Sequence, residues 1–333
     1  HPVHAALRNR LLERVMWRYI VKRVGHALFV MWLVATTVFF GLRAIPGGPV
    51  RTMLGQEATP EAVASLRADL GLDRPLTVQY VDFLTDLLTL DLGRSITSSE
   101  QVGSIVAQAA PKTFAIAGVG VALGLAVAIP AGVIGATRRN EPADYAATVA
   151  AFLGISMPAF FVGILLAIVF GVYLDWLPIV GYTSISEGVR PWFESVILPA
   201  VAVGLPYAAG VTRMMRSSLI ETLNEGYMRT ALAKGVDSRV RLYKHALQNA
   251  LIPVVTVAGI QLALVLGGSV TVELVFSIQG LGRVLVNSIL ERNYPVTQIA
   301  ILLISGVFVF MNLLVDIAYT AIDPRIRIGG EGA

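Results

Sequence analysis

Histidine and cysteine, the side chains most used as metal ligands and nucleophiles, are scarce in this sequence. Cysteine is absent, which excludes disulfides, thiolate catalysis and Cys-ligated metal centres. The four histidines are His1, His4, His26 and His245, and none stands in the H-E-x-x-H spacing of a zinc hydrolase. His1 and His4 could bind a metal ion weakly, but a terminal pair this short is more often incidental. We therefore expect no metal site and no cofactor in this chain.

Motifs for phosphate and acyl chemistry are also missing. The sequence contains no G-x-x-x-x-G-K-[ST] phosphate loop and no G-x-S-x-G nucleophile elbow. Gly280 and Gly282 form a G-x-G pair, but the third glycine of a dinucleotide-binding turn is absent. We expect a chain without catalytic residues, so that the free energy for any pumping has to come from another subunit.

Three polar side chains lie within or beside long apolar runs: Gln261, Glu273 and Asp316. An unpaired acid at mid-membrane costs about 2.5–3.5 kcal/mol on insertion scales, so Asp316 must face protein, water or a basic partner. It is either a functional acid or a structural acid paired near the membrane interface, and we favour the structural interpretation. Gln261 and Glu273 could line a path for a solute, or could equally hold helices together.

Six uncharged runs place these residues in a lipid bilayer. Apolar residues make up 55% of the 333 and charged residues only 14%, against roughly 25% charged in an ordinary soluble domain. About 20 helical residues cross the hydrocarbon, and the alternation typical of a membrane barrel is absent. Pro158 interrupts the third run and predicts a kink there. We predict an all-α polytopic membrane protein whose six transmembrane helices cover residues 24–42, 113–137, 145–174, 195–212, 246–272 and 294–315.

Basic residues indicate the orientation of these spans. Seventeen of the 26 lysines and arginines fall in the segments that one side of the membrane would carry. By the positive-inside rule this side is the cytoplasm, so both termini are cytoplasmic and the loop 43–112 is external. The net charge of +4 is then an orientation signal, and we expect no nucleic-acid partner.

The external loop 43–112 is itself predicted to be helical. Thr59 and Pro60 have the N-cap and first-turn proline of a helix start, and this helix would run to Leu70. A second helix follows, with apolar residues at helical spacing, and it would end before Gly93. Its apolar face would lie on the bilayer edge or on the outer ends of the spans.

The basic residues before the first span form an amphipathic pattern. Residues 5–23 mix apolar side chains with arginines, as in a helix that lies on the inner membrane surface. A calmodulin-binding segment has the same pattern, and we regard it as the less favoured alternative.

The cytoplasmic loop 213–245 has the composition of a docking hairpin. It carries seven basic residues. Thr230, Ala231 and Ala233 are small enough for another protein to approach the backbone closely, and Gly235 would end their helix before a return helix begins. The composition is compatible with docking of a partner protein and also with a role in topology alone.

Short motifs along the chain resemble those of ABC-importer permeases of the peptide/nickel (dipeptide/oligopeptide) family, in their B-type inner-membrane subunit. The segment 227–235, Tyr-Met-Arg-Thr-Ala-Leu-Ala-Lys-Gly, is similar to the coupling-loop signature of that family. Arg229 stands where the general signature carries glutamate, as is usual in the peptide branch. Further similar segments are residues 70–76, 91–95, 156–160, 213–219, 249–255, 267–269, 312–316 and 323–325.

This resemblance implies a type I ABC-importer permease fold in the plasma membrane, together with its partners. They would be a homologous second permease subunit, two ABC ATPase subunits and an external solute-binding protein that delivers a peptide-like solute. The ATPases would grip the coupling loop, and the spans would move between inward-open and outward-open states. The loop residues assigned to coupling are Tyr227, Arg229, Thr230, Ala231, Lys234 and Gly235.

The same resemblance suggests how the chain is divided. Residues 111–327 would form the permease core, and residues 16–110 would hold the surface helix, the first span and the external loop. Residues 1–15 would be an extension before the usual start of the family. A nickel chelate or haem is an alternative solute within the family. A secondary transporter and an intramembrane enzyme are rival classes, but neither an internal repeat nor a second acid level with Asp316 supports them.

Overall fold

The computed structural model describes residues 2–44, 50, 54, 59–69 and 71–322. Over these ranges the chain forms helices and no β-strand. Residues 167–173 and 241–246 have the wider π-helical turn. The helices are α1 (Pro2–Arg43), α2 (Pro60–Asp69), α3 (Leu76–Thr89), α4 (Val102–Thr137), α5 (Pro142–Ser156), α6 (Ala159–Tyr173), α7 (Val189–Asn224), α8 (Gly226–Ala233), α9 (Ser238–Val275), α10 (Leu281–Leu290) and α11 (Tyr294–Ile322).

The predicted all-α architecture with six spans is confirmed. Five helices are long and apolar enough to cross a membrane, namely α1 from Ile20 onward, α4, α7, α9 and α11. The bent pair α5 and α6 is apolar enough to make a sixth when the two are taken as one span. Each contains one of the six apolar runs. Several of these helices continue past their apolar runs into charged residues, for example α7, which runs from Val189 to Asn224 around the run 195–212.

The predicted kink at Pro158 is a full break. The helices α5 and α6 meet at 105°. Met157 is extended, with φ −92° and ψ 125°, because the proline ring excludes the helical conformation from the preceding residue. Pro158 also has no N–H to continue the ladder. As a result α5 depends on side-chain contacts to follow the rest of the bundle.

The basic segment 5–23 is continuous with the first span. Helix α1 runs without interruption from Pro2 to Arg43, and no glycine or proline lies between residues 3 and 24 to break it. The expected surface helix is therefore part of one long helix. His1 lies outside the described residues and the side chain of His4 is not described, so the weak metal pair considered above stays a prediction. The segment 323–325 also lies outside the described residues.

The core of the bundle is the contact between α4 and α7, which is made close by glycine. A Cβ placed on Gly120 would lie 2.7 Å from the carbonyl oxygen of Ala200. A Cβ on Gly132 would lie 2.6 Å from Cβ of Met215. Such small residues let two backbones approach within the membrane. Tyr207 of α7 is buried at the same interface, where a Cβ on Gly124 would lie 2.8 Å from its Cδ1 atom.

Helix α3 of the loop 43–112 packs on the end of α1. The Tyr80 hydroxyl of α3 lies 2.6 Å from the Thr36 hydroxyl of α1, and the Phe39 ring packs against Tyr80 and Phe83. The apolar face of α3 thus lies on the end of a span, one of its two predicted surfaces. The residue predicted to end α2, Leu70, lies outside the described residues, and α2 is helical to Asp69.

Candidate functional site

The loop 213–245 forms the predicted hairpin. Helix α7 ends at Asn224, Glu225 is extended, and the short helix α8 follows. Gly235 has φ +75°, and its N–H donates to the Leu232 carbonyl at 2.9 Å. The Val236 N–H donates to the Ala231 carbonyl at 3.1 Å. These two bonds are the Schellman pattern that ends a helix at a left-handed glycine, after which α9 begins.

One side of α8 is fixed to the bundle. Met228 is buried in the main core. The Tyr227 hydroxyl accepts a hydrogen bond from the Asn249 amide at 2.9 Å and donates to the His245 carbonyl at 3.4 Å. His245 and Asn249 both lie in α9, so these two bonds join α8 to α9. Helix α8 also follows α7 directly in the chain. The sequence analysis did not assign Asn249 to the site, because it contacts Tyr227 from a different helix, 22 residues further along the chain.

The other side of α8 is open. Arg229, Thr230, Lys234 and Gly235 are exposed and Ala231 is partly buried. Two large apolar residues of the hairpin are also exposed: Leu232 of α8 is 57% exposed and Tyr243 of α9 is 60% exposed. Sequence reasoning missed both; the available signal was an apolar side chain at an outward helical position within a basic loop. Apolar groups among cations form a surface suited to another protein rather than to water alone.

Asp316 is paired with a basic side chain. Arg23 Nη1 of α1 lies 2.8 Å from Asp316 Oδ2 of α11. The pair ties the first and last spans together where both side chains are partly exposed. This geometry favours the structural interpretation of Asp316 over a functional acid.

Glu273 is fully buried and caps a neighbouring helix. Its carboxylate accepts a hydrogen bond from the Thr113 hydroxyl at 2.6 Å and from the Arg283 N–H at 3.0 Å. Helix α10 has no side-chain cap of its own at Gly280, and a Cβ there would lie 2.5 Å from the Glu273 carboxyl carbon. The acid of α9 therefore satisfies N–H groups at the start of α10.

Gln261 lies against α7. It is partly buried, and its amide occupies the place that a Cβ on Gly210 would take. The three polar residues of the spans thus have different partners: Gln261 contacts α7, Glu273 contacts α4 and α10, and Asp316 contacts α1. The structure does not assemble them into one site.

An ion pair between a buried acid and a partly exposed arginine was not predicted. Asp144 in the first turn of α5 is 3% exposed, and it binds Arg216 of α7 through both carboxylate oxygens. The only signal in the sequence is an acid in the first turn of a helix, and helix-dipole reasoning would place such an acid at the surface. Its partner is 72 residues away in the chain, so local pattern could not find it.

Comparisons with known proteins agree with this architecture. Residues 128–328 match the family described as binding-protein-dependent transport system inner membrane component. Residues 16–117 match the N-terminal part of the same membrane component. A chain from the inward-facing structures of the MetNI methionine ABC transporter superposes with a TM-score of 0.53 and 19% identity, covering 66% of this chain and 96% of that one; at this identity it shows the fold alone.

Two curated relatives are similar over nearly their whole length. The probable peptide ABC transporter permease protein y4tP of Sinorhizobium fredii is 41% identical over 93% of this chain and 99% of the relative. The glutathione transport system permease protein GsiC of Pectobacterium atrosepticum is 41% identical over 94% of this chain and 99% of the relative. The family match, the relatives and the six-span bundle agree, and this chain belongs to the family of binding-protein-dependent transport system inner membrane components.

Proposed function

We propose that this chain is a permease subunit of an ATP-driven ABC importer, and that it moves di- or oligopeptides across the inner membrane by alternating access. The names of its relatives support this solute class, since they are described as peptide and glutathione transport permeases. Glutathione is itself a short peptide, so the two descriptions share one chemistry. A nickel chelate or haem is the alternative within the same mechanism.

The observation that carries the proposal is the hairpin at α8. The core contact of Met228 and the Tyr227 hydroxyl hold it to the bundle, while Arg229, Lys234 and Leu232 are exposed. A helix held on one side and open on the other can pass a displacement from a docked ATPase to α7 and α9. In this assignment Thr230 and Ala231 permit close approach, and Gly235 sets the turn.

The free energy needed to switch the transporter between its two states is larger than a single salt bridge can supply, which favours an extended docking surface. Moving a two-state equilibrium from 1:99 to 99:1 takes about 5.5 kcal/mol of differential binding. A single exposed salt bridge contributes about 0–1 kcal/mol, so one cation such as Arg229 is insufficient. The apolar side chains of Leu232 and Tyr243 add the buried area that the exposed cations lack.

The same proposal includes partners and orientation. A second permease subunit would complete the solute path, two ABC ATPases would dock at the α8 hairpins, and an external binding protein would deliver the solute. Both termini and α8 would face the cytoplasm. Residues 111–327 would form the permease core, residues 16–110 would hold the first span and the external loop, and residues 1–15 would be an N-terminal extension. Among the three path candidates we favour Gln261, because Glu273 and Asp316 are each engaged in bonds described above.

Reconstitution tests the proposal. The full complex, with both permeases, both ATPases and the binding protein, is placed in proteoliposomes and supplied with labelled dipeptide, glutathione or nickel chelate. We expect ATP-dependent uptake of a peptide that requires the binding protein. Uptake driven by an ion gradient without ATP, or by this chain alone, would contradict the mechanism, and uptake of the nickel chelate alone would replace the solute.

A further inference from the structure

The ion pair between the buried Asp144 and the partly exposed Arg216 is a two-bond fork. Arg216 Nη2 donates to Asp144 Oδ2 at 2.8 Å and Arg216 Nε donates to Asp144 Oδ1 at 2.5 Å. Parallel bonds of this kind fix the relative orientation of the two groups as well as their distance. The pair therefore fixes the first turn of α5 against one face of α7.

The same carboxylate also holds the turn that joins α4 to α5. Asp144 Oδ2 accepts a hydrogen bond from the Asn140 N–H at 3.0 Å, and Asn140 has φ +64°. On α4, a Cβ placed on Gly135 would lie 3.3 Å from Asp144 Oδ1 and 3.3 Å from Arg216 Cδ. Three helices thus meet at one ion pair, which the glycine leaves room for.

The pair lies close along the chain to the candidate coupling helix. Arg216 and the end of α7 at Asn224 belong to one continuous helix, and eight residues of α-helix span about 12 Å. Helix α8 begins two residues later, at Gly226. A displacement of α8 can therefore reach Arg216 through the last turns of α7, in addition to reaching α9 through the Tyr227 contacts.

Helix α5 needs such a connection. The break at Pro158 separates it from α6 by a bend of 105°, so its position does not follow from the continuity of a straight span. The Arg216 side chain is 30% exposed, so solvent screens the pair and its contribution to stability is modest. What the fork adds is a fixed geometry between α5 and α7.

We propose that Asp144 and Arg216 are positioning residues that make α5 move together with α7 when α8 is displaced, and so couple ATP hydrolysis to the opening of the solute path. This inference rests on the proposed function. The role assigned to the pair requires no contact with solute or nucleotide. It acts by keeping α4, α5 and α7 as one rigid body. A displacement of the hairpin then moves α5 as well, instead of only bending the turn 138–141 that joins α4 to α5.

The test is the coupling ratio, the number of ATP molecules hydrolysed per solute molecule imported by the complete complex in proteoliposomes. Arg216→Lys keeps the charge and loses the fork, and Asp144→Asn keeps the shape and loses the charge. We expect both to raise the ratio at least tenfold, with binding-protein-stimulated ATP hydrolysis within twofold of the unaltered complex. Arg190→Lys is the matched control, since Arg190 makes an exposed pair with Glu194 on the same helix; its ratio should not change.

A structural role predicts a different result. If the variants lower the yield or the thermal stability of the complex, but the assembled complex keeps its original ratio, the proposal is overturned. Should the single variants fail to assemble, the double variant Asp144→Leu with Arg216→Met replaces the pair by apolar side chains. It should assemble and hydrolyse ATP with a raised ratio, and an unchanged ratio would overturn the proposal. Absence of ATP-dependent uptake by the unaltered complex would instead remove the proposed function, and this inference with it.

Discussion

At the scale of single residues, Gly235 shows that conformation and not space decides which side chain is tolerated. Its φ is +75°, and a Cβ placed there would meet nothing within 4 Å. A left-handed conformation costs a residue other than glycine roughly 1–2 kcal/mol. A larger residue would therefore fit the space but would shift the turn between α8 and α9.

We expect Gly235→Leu to reduce solute uptake at least tenfold while the protein still inserts and assembles, because the exposed face of α8 would be presented at a wrong angle. Gly226→Leu is the matched control: Gly226 also has open space around it, and its φ is not in the left-handed region. Uptake and membrane abundance are measured together. Normal uptake by the Gly235 variant would remove the coupling assignment.

The Tyr227 hydroxyl is the second residue-scale feature. It bridges α8 to Asn249 and to the His245 carbonyl, at a partly exposed place where such bonds contribute about 0.5–1.5 kcal/mol each. Tyr227→Phe should therefore lower the free energy of unfolding by about 1–3 kcal/mol and lower uptake two- to fivefold per ATP hydrolysed. Tyr243→Phe, which removes a hydroxyl from the same hairpin, is the control. Equal effects of the two changes would argue against a bridge that couples α8 to α9.

At the scale of helices, the α4–α7 contact depends on which glycines of α4 face its partner. Gly120 is one such residue, and a Cβ there would lie 2.7 Å from a backbone oxygen of α7. Gly118, two residues earlier, has nothing within 4 Å. The sequence places both in one small-residue stretch, so their opposite surroundings come from the rotation of α4 about its axis.

Gly120→Ala should destabilise the protein by about 1–3 kcal/mol, the usual cost of overpacking, because the backbone of Ala200 has no room to retreat. Gly118→Ala should be neutral or slightly stabilising, since alanine is the better helix former. The two variants are distinguished by thermal unfolding in detergent, measured as the fraction of protein that remains monodisperse after heating. Similar melting of both variants would mean that the helices are not packed as described.

At the scale of the whole molecule, the orientation in the membrane is open to a direct measurement. The chain has no cysteine, so single cysteines can be introduced without background labelling. Ser98 and Ser238 are both exposed and lie in loops that the predicted topology assigns to opposite sides. In intact spheroplasts, a membrane-impermeant maleimide should label Ser98→Cys and should leave Ser238→Cys unlabelled until the membrane is opened. The reverse pattern would invert the proposed topology and place α8 outside.

The sequence by itself determined the features that depend on local composition. The six spans follow from the length of the apolar runs, because every crossing must cover the same thickness of hydrocarbon. The hairpin at 213–245 follows from a glycine after a short helix, since few other residues adopt the left-handed turn. The family follows from short motifs such as 227–235.

Only the tertiary structure decided the contacts between residues that are far apart in the chain. Asp144 with Arg216, Arg23 with Asp316 and Glu273 with Thr113 each join two separate helices. Helical periodicity describes one helix at a time, whereas these pairs depend on how two helices are rotated and set against each other. The 105° turn at Pro158 belongs to the same class: proline stops the hydrogen-bond ladder locally, but the packing around it sets the angle.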